Sequence, residues 1–203
     1  MSGDVSAGFY GKIPARGDFV RTGLPRDFTD AWDAWLQSVI SGSQALMGEA
    51  WLPAFLEAPV WRFVLPPGMG GAQAVVGLML PSVDRAGRYF PLTFAALSPR
   101  CVAKASAQAW LDSCEAAGLA ALERDSSPDE IAGMLASTEA LDAIADPATA
   151  VWWSDGSTRV KPACLSLHCL PDAATYAAML GAQTGGTDVG DDACAPGEGR
   201  SSA

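Results

Sequence analysis

A single histidine, His168, occurs in 203 residues, and none of the five cysteines, Cys101, Cys114, Cys164, Cys169 and Cys194, forms a C-x-x-C pair. A structural zinc centre takes about four nitrogen or sulfur ligands. Here His168, Cys164 and Cys169 supply only three donors in one short segment, with no second cluster. A Cys–His catalytic pair is equally thin, because neighbours on a strand point to opposite faces. His168 is therefore read as a half-buried strand histidine among core thiols, and no metal or cofactor is expected. An odd cysteine count without paired spacing suits reduced thiols, so no structural disulfide is expected.

Positive charge is also scarce. Thirteen Lys and Arg stand against 23 Asp and Glu, a net charge of −10, and the imbalance lies in the second half: residues 101–203 hold 5 basic and 15 acidic side chains, residues 1–100 hold 8 of each. An acidic domain repels phosphate backbones and anionic lipid, which leaves a protein as the default partner. Long apolar runs are missing: AVVGLML at 74–80 is far below the length of about 20 residues that a spanning helix needs. The first twelve residues have no basic stretch leading into an apolar run, so a cytoplasmic chain is expected. The glycine-rich stretches at 8–11 and 68–71 match neither the phosphate-binding loop nor the dinucleotide fingerprint.

What is present is apolar material for a core, 49% hydrophobic against 18% charged. The sequence predicts one domain over 1–181. Residues 182–203, with no aromatic and almost no aliphatic side chain, read as a disordered acidic, Gly-rich tail. Within the domain, GFYGKI at 8–13 reads as a strand leading into a loop, PARGDFVRTGLP. Phe28, Trp32, Trp35, Leu36, Val39 and Ile40 recur at the spacing of one helical face, with Gly42 or Gly48 as stop. A short helix over about 49–57 follows. Three apolar runs, at 60–65, 73–80 and 89–97, separated by turn residues, predict an antiparallel meander. An Ala-rich helix begins near Ala103, and another, capped by Ser127, runs from Pro128 to about Ile144. VWWS at 151–154 and ACLSLHCL at 163–170 read as a strand pair, and PDAATYAAMLGA as a closing helix. The expected fold class is α+β, an α/β sandwich with a mostly antiparallel central sheet covered by helices.

Two polar clusters interrupt the apolar pattern: Lys12, Arg16, Asp18 and Arg21 in the first loop, and Asp84, Arg85 and Arg88 after Leu80. Local pairing is the simpler reading, with Asp18 and Asp84 accepting from turn amides and from the arginines while Gly17 and Gly87 take positive φ. A recognition surface is the sharper one, since arginine is favoured at interfaces. Among the seven tryptophans, Trp152 and Trp153 are adjacent, so one is expected to face away from the core as a contact anchor.

Four spaced motifs then fall in order: G-x-Y-G-K-x-P-x-x-G-D-F from Gly8, W-D-x-W-L from Trp32, P-x-W-R-F from Pro59, and P-S-x-D-R-x-G-R-x-F-P-L from Pro81. Over about residues 8–95 the chain resembles the TagF/ImpM family of type VI secretion accessory proteins, and the later VWW segment also fits. The resemblance implies a cytoplasmic, non-catalytic, post-translational repressor that binds the forkhead-associated scaffold protein of the system. Some similar proteins carry a fused phosphatase domain, for which this chain has neither room nor a metal-binding aspartate set. On this reading Lys12, Arg16, Asp18, Asp84, Arg85, Arg88, Trp152 and Trp153 are the candidate partner-binding or motif residues, with no catalytic residue, no nucleic acid, no membrane insertion and no small-molecule substrate. Two alternatives remain open at this point: a phosphate-handling hydrolase using Asp18, Asp84, Arg85 and Arg88, and a structural accessory subunit of the secretion machine.

Overall fold

The computed structural model describes residues 5–98, 104–136 and 149–182. Seven strands form one sheet: β1 (Ser6–Gly11), β2 (Val20–Thr22), β3 (Trp61–Leu65), β4 (Ala74–Leu80), β5 (Leu92–Ser98), β6 (Ala150–Ser154) and β7 (Ala163–Leu167). Their order is β2-β1-β5-β4-β3-β6-β7, with every neighbouring pair antiparallel. Among the described residues the helices are α1 (Arg26–Met47), α2 (Trp51–Leu56), α3 (Lys104–Arg124), α4 (Pro128–Ala136) and α5 (Ala173–Met179), with a 3-10 turn, Gly48–Ala50, between α1 and α2.

Period-2 alternation divides each central strand between two cores. On β4, Val75 and Met79 join Trp32 and Leu36 of α1, Phe55 of α2 and Tyr176 of α5, whereas Val76, Leu78 and Leu80 join Leu111 and Cys114 of α3 and Ile131 of α4. The sheet is thus the middle of three layers. Both of its faces are covered, so β3, β4 and β5 are buried at every position and read as unbroken apolar runs. The edge strand β7 alternates half-buried with exposed residues, as a strand with one wet face does.

Aromatic packing builds the first core. Trp32 is 1% exposed and lies 4.5 Å from Trp35, 5.0 Å from Phe63 and 5.5 Å from Phe28 by ring centroid. Its indole N–H donates to Thr93 Oγ1 at 3.0 Å, which supplies the partner that a buried indole needs. Gly48, at φ 54°, ends α1 in a conformation that favours glycine. Gly77 on β4 is required for a different reason: a Cβ there would lie 2.4 Å from the Phe94 carbonyl oxygen and 2.6 Å from the Phe63 ring. Gly77→Val is expected to cost about 2 kcal/mol, read as a lower urea midpoint with an unchanged slope.

The structure corrects the sequence reading in three places and leaves part of it outside the described residues. Val20–Thr22, expected to be loop, is a short edge strand paired with Phe9–Gly11, a pairing that local sequence does not signal in three residues. Trp152 and Trp153 are both buried, at 0% and 5% exposure, one in each core, so neither is a surface anchor. The expectation that one must face water holds only for a sheet with a bare face. His168 lies in a bend after β7 and is exposed, as is Cys164, so it is not a strand histidine among core thiols. The helix begun at Pro128 is described to Ala136. Its predicted extension to Ile144, Cys101, Cys194 and residues 183–203 of the predicted tail lie outside the described residues.

Candidate functional site

Because β1 runs antiparallel to β5, the segment leaving β1 meets the segment entering β5 at one end of the sheet. Residues 12–19 and 81–91 therefore face each other although they are about seventy residues apart in sequence. Four bonds cross between them. Ser82 Oγ donates to the Lys12 carbonyl at 2.6 Å, Lys12 Nζ to Asp84 Oδ2 at 2.5 Å, the Arg85 N–H to the Arg16 carbonyl at 2.9 Å, and the Arg88 guanidinium to the Gly17 carbonyl.

Asp84 is the hub. Its side chain is fully buried. Oδ1 accepts from the backbone N–H groups of Ala86 and Arg88, both at 2.9 Å, and Oδ2 accepts from Lys12 Nζ and, at 2.7 Å, from Arg88 Nε. Burial pushes the carboxyl up, but the Lys12 hydrogen bond, the Arg88 amide and side chain and the Ala86 amide outweigh it, holding Asp84 well below the usual carboxylate range. Gly87, at φ 79°, closes the turn. With its acceptor sites filled, this carboxylate is an internal clasp with no lone pair aimed at solvent. Lys12 is likewise buried, its ammonium 4.8 Å from the centre of the Phe19 ring.

The remaining candidates part company from this pair. Arg16, Asp18 and Arg85 are exposed, and their side chains have no hydrogen bond or ion pair among the described residues. Gly17 does not take positive φ and Asp18 caps no turn, so the expected local pairing holds for Asp84, Arg88 and Gly87 but not for these two. Arg16, Asp18, Arg21 and Arg85, with Phe19, line an open depression of about 500 Å³ that reaches Pro128 at the start of α4. Asp18 and Asp84 are not brought together as a pair of working carboxylates: one is on the rim and the other is enclosed. The four residues of the hydrolase reading thus divide between a saturated core and a surface.

Sequence reasoning overlooks two residues here. Phe19 is 45% exposed yet held in place, stacked on Tyr10 at 5.6 Å and edge-on to Phe90 at 4.8 Å. Its only signal is its place in the first motif. Arg62, buried on β3, donates to Glu115 of α3 at 2.5 Å and to Asp155 after β6 at 2.8 Å, tying a helix and a loop to the sheet. The signal for it is an arginine inside the otherwise apolar run WRFVL.

The loops that hold this geometry fall within the region that matches a known family: the TagF N-terminal domain, type VI secretion system-associated, over residues 8–138. The chain belongs to the TagF N-terminal domain family. It is a type VI secretion-associated protein. The match runs past the strands of the four motifs and takes in α3 and α4, so the helices covering the second face belong to the TagF pattern as well. The crystal structure of PA0076 from Pseudomonas aeruginosa PAO1 is similar throughout, with 34% sequence identity and a TM-score of 0.79, covering 96% of this chain and 100% of that chain. No curated protein matches. Among the described residues, no helix is long and apolar enough to cross a membrane.

Proposed function

We propose that this chain is a non-catalytic, cytoplasmic regulator that represses the type VI secretion apparatus after translation by binding its forkhead-associated scaffold protein. The observation that carries this reading is the division of the charged TagF loops. Asp84, the one enclosed carboxylate among them, is spent on holding two loops together, and what those loops present outward is a set of arginines around a fixed aromatic ring. Such a set is the composition of a contact surface. A hydrolase working through paired carboxylates would need both within reach of one substrate, whereas here Asp18 is exposed on the rim and Asp84 is enclosed.

Deletion of the gene in its host is expected to raise secretion of the type VI tube protein several-fold, and overexpression to suppress it, both read by immunoblot of the culture supernatant. Unchanged secretion in both directions would remove the repressor role. A pull-down of the purified scaffold protein by this chain at micromolar concentration tests the contact itself, and clean absence of binding would count against that partner.

A further inference from the structure

The geometry points to the depression beside β2 as a docking site for an acidic segment of a partner protein, a step that rests on reading the chain as a binding module. Three arginines, Arg16, Arg21 and Arg85, line it against one carboxylate, Asp18. None of the three guanidiniums has an intramolecular hydrogen bond or ion pair among the described residues. That sets them apart from Arg62, Arg88 and Arg159, each of which is paired with a carboxylate. Among the lining residues three positive charges thus stand against one negative, on a chain of net charge −10.

The helix end nearby adds no cationic character. Ser127 and Glu130 cap α4 reciprocally, with Ser127 Oγ accepting from the Glu130 N–H at 3.3 Å and Glu130 Oε2 accepting from the Ser127 N–H at 2.7 Å. Asp129 and Glu130 offset the positive end of the helix. The attraction for an anion therefore comes from the arginines. Phe19 supplies an apolar contact beside them, already immobilised by Tyr10 and Phe90, so little ordering entropy is lost when a partner covers it.

Charge complementarity selects the occupant. Long polyanions meet the net negative charge of the whole chain, whereas a short acidic peptide can lie within the depression and leave that charge in screened solvent. Guanidinium forks match carboxylate and phosphate alike, so glutamate, aspartate and phosphorylated side chains share the chemistry.

The test uses the full chain and a fluorescein-labelled peptide of eight glutamates, followed by anisotropy at low and at moderate salt. A version carrying phosphothreonine separates phosphate from carboxylate preference. Binding is expected to weaken about tenfold or more in R16A/R21A/R85A and to fall steeply with salt. Thermal unfolding of the triple variant should match wild type, because none of these side chains supports the fold. The same pair of proteins is then tested against the purified scaffold. Peptide binding that needs the arginines, with no scaffold binding by wild type, supports the site and removes the scaffold as partner. Scaffold binding that the triple variant retains, peptide binding that it retains, or no peptide binding by wild type overturns the site. Tighter arginine-dependent binding to single-stranded DNA or to anionic phospholipid vesicles overturns the choice of a protein segment.

Discussion

Asp84→Ala is expected to lower the thermal midpoint by about 10 °C or more, the largest effect of any single substitution in the two loops. The change leaves a buried ammonium at Lys12 without its partner and two turn amides without an acceptor, while the Arg88 side chain keeps only its bond to the Gly17 carbonyl. Asp84→Asn separates charge from hydrogen bonding: it keeps an acceptor for the amides and loses the countercharge for Lys12, so it should fall between wild type and alanine. The pH dependence has a definite sign. The folded-state pKa is depressed, so the contribution of Asp84 is fully present above the ordinary carboxylate range, near pH 4, and is lost progressively as the pH falls below it. Unfolding curves taken from pH 7 to pH 3 should show a steeper loss for wild type than for Asp84→Asn. A midpoint unchanged by Asp84→Ala would mean that the loops are held by their backbone bonds alone.

Trp32→Ala is expected to cost about 4 kcal/mol, since it empties the centre of the aromatic core between α1 and the sheet. The ring is 1% exposed and is surrounded by Phe28, Trp35, Phe63 and Trp152, four large side chains that cannot all close on the vacancy. Trp32→Phe isolates the smaller contribution of the N–H bond to Thr93, about 1 kcal/mol plus the lost ring area. Urea denaturation measures both. A cost under about 1 kcal/mol for alanine would show that the core repacks around the gap, contrary to the usual behaviour of close-packed interiors.

The two experiments bear on function through a shared control. Asp84→Ala is expected to disturb the arginine surface indirectly, by loosening the loops that carry Arg16 and Arg85, whereas Trp32→Ala acts inside the aromatic core between α1 and the sheet. A binding defect in the first that exceeds the defect in the second, at equal residual stability, would place the contact at the clasped loops.

Much of the fold can be read from local pattern. The periodicity of Phe28, Trp32, Leu36 and Val39 places α1, and Gly48 at positive φ stops it. The turn residues between 65 and 92 place a meander that does form. Ser127 marks the start of α4, and Asp172 accepts from the Thr175 N–H at 2.7 Å at the start of α5. These elements are legible because caps, turns and periodic faces are short-range properties, decided within a few residues of chain.

Tertiary structure decided the rest. Whether the sheet has one covered face or two depends on where helices far apart in sequence pack, and that choice buried both Trp152 and Trp153. The pairing of β2 depends on the neighbouring strand rather than on three residues of its own. The motif residues show the same division. Their identities mark the TagF family without any structure, yet Lys12, Asp84 and Arg88 look no different in sequence from Arg16, Asp18 and Arg85. Only the antiparallel pairing of β1 with β5 brings Lys12 onto Asp84 as a buried pair, which Arg88 joins from within its own turn, and leaves the others facing solvent, because a buried charge must find its partner across the fold while an exposed one need not.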